Sequence, residues 1–246
     1  MTSRAPRAED ALHPVGAPIG HEHSDVTGGW LRPAVFGVMD GLVSNFALIA
    51  GVAGAGAAPR TVALTGLAGL VAGAFSMAAG EYVSVASQSE SAQAQLDLER
   101  AELLHNPDGE QAELAQVYID RGVDPELALE VARQMSVDPV EALRVHALEE
   151  LGVDPTELPS PWTAAGSSFV AFIVGALLPL LPYLLGASHL TAAAIIALIA
   201  LFGTGVLTSR FTNRHWLFSG SRQLLLGTIA AVVTFAVGMA FGAVVT

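Results

Sequence analysis

Four stretches of this chain are apolar for long enough to cross a lipid bilayer, and that constraint dominates what the remaining residues can do. A spanning helix needs roughly 20 predominantly apolar residues at about 1.5 Å each. Inside hydrocarbon every backbone N–H and C=O must find its partner within the segment or a closed barrel, so continuous apolar runs of this length read as helices. The four stretches hold five spans: Val35 to Gly56, Val62 to Ser87, Ala164 to Gly186, Leu190 to Ser209 and Leu224 to Val245, with a tight turn at Ala187 to His189. Composition agrees, since 52% of the 246 residues are hydrophobic and 14% charged. The formal charge of −12 is concentrated: Gln88 to Ser160 carries 17 Asp and Glu against four Arg. Such an excess repels nucleic acid and anionic headgroups and attracts cations. The chain has no cysteine, which removes disulfides, thiolate metal sites and Cys nucleophiles together. Residues 1–30 are polar, so no cleavable signal peptide is expected before the first span.

Every positive charge is Arg, and orientation follows from where these fall. Arg4, Arg7 and Arg32 precede span one, Arg100, Arg121, Arg133 and Arg144 lie in the acidic insert, and Arg210, Arg214 and Arg222 separate spans four and five. Five spans put these regions on one side and Arg60 alone on the other. The N-terminus and acidic insert are therefore expected in the cytoplasm and the C-terminus outside. Trp30 and Trp162, each just before a span, read as interfacial anchors. The expected architecture is an all-α integral membrane protein of five transmembrane helices, with a helical acidic cytoplasmic domain inserted between the second and third. Its segments are an N-terminal segment at 1–33, spans one and two at 34–88, the acidic metal-binding domain at 89–161 and spans three to five at 162–246.

The insert carries the punctuation of short helices. Glu81 to His105 contains neither Gly nor Pro, so span two is expected to continue as one long helix until Asn106-Pro107 stops it. A helix fits Glu110 to Arg121, closed by Gly122. Val-Asp-Pro occurs at 123–125, 137–139 and 153–155, each supplying an Asp N-cap and a Pro for the first helical position. The first two open helices that end near Met135 and Leu151. Leu127, Val131, Leu143 and Leu148 are expected to pack these helices together.

Asp40 and Glu81 are the only acidic residues within the spans. Each carboxylate near the bilayer centre costs at least about 2.5–3.5 kcal/mol, so a function is the first explanation. Met77 lies one turn before Glu81, and a carboxylate with a thioether makes a mixed hard and soft site that suits Fe²⁺ or Mn²⁺. Two alternatives stay open: Glu81 as a solvated carboxylate at the cytoplasmic mouth, and Met77 as ordinary packing. In the insert, Glu99 and Glu102 share a helical face, as do Glu110 and Glu113. His146, Glu149 and Glu150 supply further ligands for a divalent ion; a merely solvated acidic surface is the alternative. Glu102-Leu-Leu-His105 matches one half of a ferritin-like di-iron motif, but the sequence holds no second copy. His21-Glu22-His23 with Asp25 lacks a fourth fixed ligand. The runs Gly51 to Ala58, Gly66 to Gly73 and Gly203-Thr204-Gly205 permit close helix packing, and Pro179 and Pro182 are expected to bend or unwind span three.

Several of these residues fall in an order that resembles the vacuolar iron transporter family over nearly the whole chain. The carriers are Gly29-Trp30-Leu31-Arg32, Asp40-Gly41-Leu42-Val43-Ser44-Asn45, Ser76-Met77-Ala78-Ala79-Gly80-Glu81-Tyr82-Val83-Ser84, Glu99-Arg100-Ala101-Glu102-Leu103, Glu149-Glu150-Leu151-Gly152 and Pro179-Leu180-Leu181-Pro182. The resemblance implies five spans, a homodimer, cytoplasmic metal-binding helices and exchange of metal for protons. It implies that Asp40 and Met77 belong to a membrane site, and that Glu99, Glu102, Glu110, Glu113 and Glu150 belong to a cytoplasmic one. Two positions depart from it: Gly69 stands where plant members carry an intramembrane Glu, and His146 where they carry a Met. The N-terminal ferritin-like domain of some bacterial members is missing, so no ferroxidase or other enzymatic activity and no resident cofactor are expected. The expected cargo is Fe²⁺ and Mn²⁺, with Zn²⁺ and Co²⁺ as further ions, exported from the cytoplasm across the cell membrane as protons enter. A carrier or channel for another divalent ion, and a membrane metal sensor, are the alternatives.

Overall fold

The computed structural model describes residues 29–212 and 214–245. Arg4, Arg7 and the His21-Glu22-His23 motif with Asp25 lie outside the described residues, as does Thr246. Among the described residues the chain is helical with no strand. Five helices are long and apolar enough to cross a membrane: α1 (Leu31–Gly54), α2 (Pro59–His105), α6 (Pro161–Leu184), α7 (Leu190–Thr212) and α8 (Trp216–Val245). Between α2 and α6 lie α3 (Pro107–Asp120), α4 (Pro125–Met135) and α5 (Pro139–His146), the last continued by a π-helical turn over Ala147–Leu151.

The 47-residue α2 is the organising element. At 1.5 Å per residue it is roughly 70 Å long, more than twice a hydrocarbon core. Its distal part therefore continues beyond the bundle as the stem to which α3, α4 and α5 attach. Asn106 ends it, and the same residue starts α3 by accepting a hydrogen bond from Gly109 N. Helix α3 thus begins at Pro107, three residues before the expected start, because Pro fits the first helical position. Asp124 and Asp138 cap α4 and α5 as the Val-Asp-Pro repeats require. Asp154 accepts from Thr156 N at 2.8 Å in the same way, yet only a single turn follows before Pro159. The packing differs from expectation. The core of this region is Leu114, Ala115, Ala128, Ala132 and Val145, whereas Leu127 is 56% exposed and Leu148 also faces outward. Two alanines on the inner face of α4 bring it close to α3, and the larger leucine is left on the outside.

The membrane bundle is held by backbone-to-backbone approaches. A Cβ at Gly41 would overlap the Phe172 carbonyl oxygen, and one at Gly175 would overlap that of Val38, so α1 and α6 cross too closely for any larger residue. Gly238 of α8 sits in the same way on the Gly51 carbonyl of α1. Helix α6 stays helical through Pro179 and Pro182 instead of unwinding, and both prolines are buried. Gly29 approaches Pro159, the Tyr82 and Trp162 rings meet at a tilt of 57° with centroids 4.7 Å apart, and Leu31 shares a pocket with Phe211 and Thr212. One end of the bundle therefore gathers the start of α1, the middle of α2, the start of α6 and the end of α7. Arg32 and Arg210 lie at that end and Arg60 starts α2 at the other.

Candidate functional site

Two groups of chemically active side chains each include a residue of α2, Met77 in one and Glu99 in the other, about 22 residues or roughly 33 Å of helix apart. The first faces a cavity of about 300 Å³ within the bundle, lined by Asp40, Ser44, Asn45 and Leu48 of α1, Gly69, Gly73, Ser76 and Met77 of α2, and Phe172 of α6. Asp40 and Met77 thus open onto the same space from two helices. Ser44 Oγ donates to the Asp40 backbone carbonyl at 2.6 Å, leaving the Asp40 carboxylate for the cavity. Asp40 and Ser44 are also exposed on the flank of the single chain, so the cavity is open sideways along α1. Toward the Arg60 end it meets a packed apolar cluster that includes Ile49, Val62, Leu70, Leu180 and Tyr183. Glu81 does not line this space. It precedes Tyr82, which packs against Trp162 at the end of the bundle nearest the acidic helices, one turn from Met77. Asn45 was not singled out by sequence, although an amide in an apolar span is itself a signal because its polar atoms need partners there.

The second group lies where α2, α3 and α5 converge. His146 Nδ1 is 2.9 Å from Glu150 Oε1, 3.1 Å from Glu99 Oε1 and 3.8 Å from Glu110 Oε2. One ligand atom each from Glu99, Glu110 and His146 falls within 4.8 Å of the others, a spacing that one cation can bridge. The site is dry: Glu99 is 5% exposed, Glu110 7% and His146 0%. His146 Nε2 and Glu99 Oε1 are buried without a hydrogen bond. Burial pushes the Glu99 carboxyl up to about 7, with help from Glu150, Glu110 and Glu102 and against the pull of His146. Burial likewise raises Glu150 to about 7, reinforced by Glu113, Glu110 and Glu102. Glu110 is raised by burial and then by Glu113. Glu102 and Glu113 are exposed and act through their charge on the buried carboxyls, Glu102 on Glu99 and both on Glu110. Negative charges crowded in a dry site either take up protons or hold a cation.

The π-helical turn decides which of the neighbouring glutamates joins this group. Glu150 reaches His146, but Glu149 points elsewhere, paired with Arg121 and accepting from the Tyr118 hydroxyl at 3.3 Å. His105, at the end of α2, has its Nδ1 2.6 Å from the Ala101 carbonyl instead of facing the carboxylates. The structure therefore brings together Glu99, Glu110, His146 and Glu150, with Glu102 and Glu113 at the rim. Asp40 and Met77 meet elsewhere, and Glu81 and Glu149 stand apart from both groups.

Comparison with known proteins points in one direction. Residues 31–239 match the sequence profile of the VIT family. The chain is 39% identical over 247 residues to a vacuolar iron transporter of Acanthamoeba castellanii, covering 96% of this chain and 89% of that one. It is 32% identical over 225 residues to vacuolar iron transporter 2 of Oryza sativa subsp. japonica, with 89% and 91% covered. To vacuolar iron transporter 1 of Arabidopsis thaliana it is 32% identical over 222 residues, with 87% and 88% covered.

Proposed function

The chain belongs to the VIT family, and on that footing we propose that it exports ferrous and manganous ions from the cytoplasm in exchange for protons. The observation that carries the reading is the pairing of Asp40 with Met77 across one cavity inside the membrane bundle. Sulfur and carboxylate together favour a borderline ion over Mg²⁺ or Ca²⁺, which prefer oxygen alone. The acidic helices capture the ion at Glu99, Glu110, His146 and Glu150, with Glu102 and Glu113 raising its local concentration. Glu81, at the bundle's near end, passes it inward, and Asp40 and Met77 receive it. Glu149 supports the capture site by holding Arg121 and Tyr118. Release requires the apolar cluster around Ile49, Val62 and Leu180 to part and a proton to replace the metal on Asp40.

The arginine distribution supports a cytoplasmic location for the acidic helices and an external C-terminus in the cell membrane. A homodimer is supported by the lateral opening: an exposed Asp40 facing lipid is costly, and a second copy against α1 would enclose it. The reading is tested with purified protein in lipid vesicles under an imposed pH gradient. Fe²⁺ and Mn²⁺ should move without any partner protein while Mg²⁺ does not; a chain that binds metal but moves none is a sensor.

A further inference from the structure

Among the described residues, Asn45 is the buried polar side chain that lines this cavity, Asp40, Ser44 and Ser76 being exposed, and the exchange of metal and proton leaves its chemistry unused. Its amide is 2% exposed, and Nδ2 donates to the Ala176 carbonyl of α6 at 2.7 Å. A carbonyl only accepts, so this bond fixes which end of the amide is nitrogen. Oδ1 must then point away from α6, and it is buried without a hydrogen-bond partner. It lies beside Gly69, where an added Cβ would stand 3.2 Å from it. Gly69 lines the same cavity and has no side chain to cover the oxygen. A buried carbonyl left without a donor is unfavourable unless something occupies the space before it.

We propose that Asn45 Oδ1 is a direct metal ligand in the membrane cavity, a neutral hard oxygen that joins the Asp40 carboxylate and the Met77 sulfur around the ion. The inference rests on the transport reading for its purpose, but it is a statement about binding. Because Nδ2 is tied to α6, the oxygen is held in place before the ion arrives. An amide does not titrate in the working range, so this ligand stays when Asp40 takes a proton. As a hard donor it favours Mn²⁺, the harder of the two cargo ions, relative to Fe²⁺.

The test uses the full-length protein with the acidic group silenced by Glu99→Gln, Glu102→Gln, Glu110→Gln, Glu113→Gln and Glu150→Gln, which leaves His146 without a carboxylate beside it, so that Mn²⁺ binding, followed by the electron paramagnetic resonance of the free ion, reports the membrane cavity. In that background Asn45→Leu removes the oxygen and also the tie to α6. Gly69→Ala keeps the Nδ2 donor to α6 and puts a methyl against the oxygen, its closest overlap being with the flexible end of Leu48 and its contact with Asn45 Oδ1 3.2 Å. Both should weaken Mn²⁺ binding at least about tenfold, the loss expected when a metal site is disturbed. Both should also weaken Mn²⁺ more than Fe²⁺, which a merely structural defect would not do. Unchanged Mn²⁺ binding in Gly69→Ala, or absence of cavity binding before either change, overturns the proposal. Flux through the unmodified protein in vesicles, measured alongside, judges the transport reading separately.

Discussion

At the residue scale the account rests on what each cavity atom can exchange. Asp40 offers a charge that either a proton or a metal can satisfy, and ligands must be deprotonated to bind metal, so the two compete for one group. Met77 offers no charge and no proton, only a polarisable sulfur that discriminates among metals. Replacing Met77 by Leu keeps the volume and removes the sulfur. We expect Fe²⁺ flux in vesicles to fall several-fold more than Mn²⁺ flux, the opposite selectivity to that expected for loss of the Asn45 oxygen. Equal losses for both ions would make Met77 a packing residue. Asp40 stood out in the sequence because a carboxylate in an apolar span is conspicuous. The role of Gly41 beside it did not, since only the crossing of α1 over the Phe172 carbonyl shows why no side chain fits. Spacing alone does not separate Glu149 from Glu150, although the family resemblance implies Glu150; the π-helical turn sends the first to Arg121 and the second to His146.

At the scale of elements, α2 joins the two groups and the capped helices α3 to α5 build the outer one. The helix starts and stops were legible because they are local chemistry, Asp before Pro at the start and Gly at the end. The inner faces were not, because which residues of a short helix face inward depends on its partner: α4 buries Ala128 and Ala132 instead of Leu127. Asp124→Ala should lower the stability of the acidic helices by about 1 kcal/mol, measured by denaturant titration of the full chain, since it removes the cap on α4. The raised carboxyls give this region a pH response of definite sign. Glu99 and Glu150 titrate at about 7 in the fold, above the usual carboxylate range, so the folded metal-free state holds protons that the unfolded chain has already released. What these two carboxyls contribute to stability is therefore fully present in acid and is lost as pH rises from about 5 toward 8. Metal needs the same groups deprotonated, so affinity rises over that window. Mn²⁺ should raise the melting temperature of the purified protein more at pH 8 than at pH 6; an equal or reversed effect would place the metal away from Glu99 and Glu150.

For the whole molecule, the bundle gathers Arg32 and Arg210 at the end that bears the acidic helices, and on the proposed topology five spans leave the end of α8 on the opposite side from the start of α1. A reporter fused after Thr246 should therefore be external, and cytoplasmic activity of that fusion would reverse the assigned direction of transport. The spans were readable from apolar length alone. The sideways opening beside Asp40 was not, because it depends on how α1, α2 and α6 cross, and it makes the second copy part of the account. These features meet in one claim, that Asp40 alternately carries metal and proton. Asp40→Asn keeps the shape of the side chain and removes its charge and its titration. The direct measurement is Fe²⁺ movement across vesicles containing purified protein under an imposed pH gradient, with internal pH recorded at the same time. The account predicts metal flux with opposite proton flux in the unmodified protein and loss of both in Asp40→Asn at unchanged folding. Full proton-coupled Fe²⁺ flux in Asp40→Asn would contradict it.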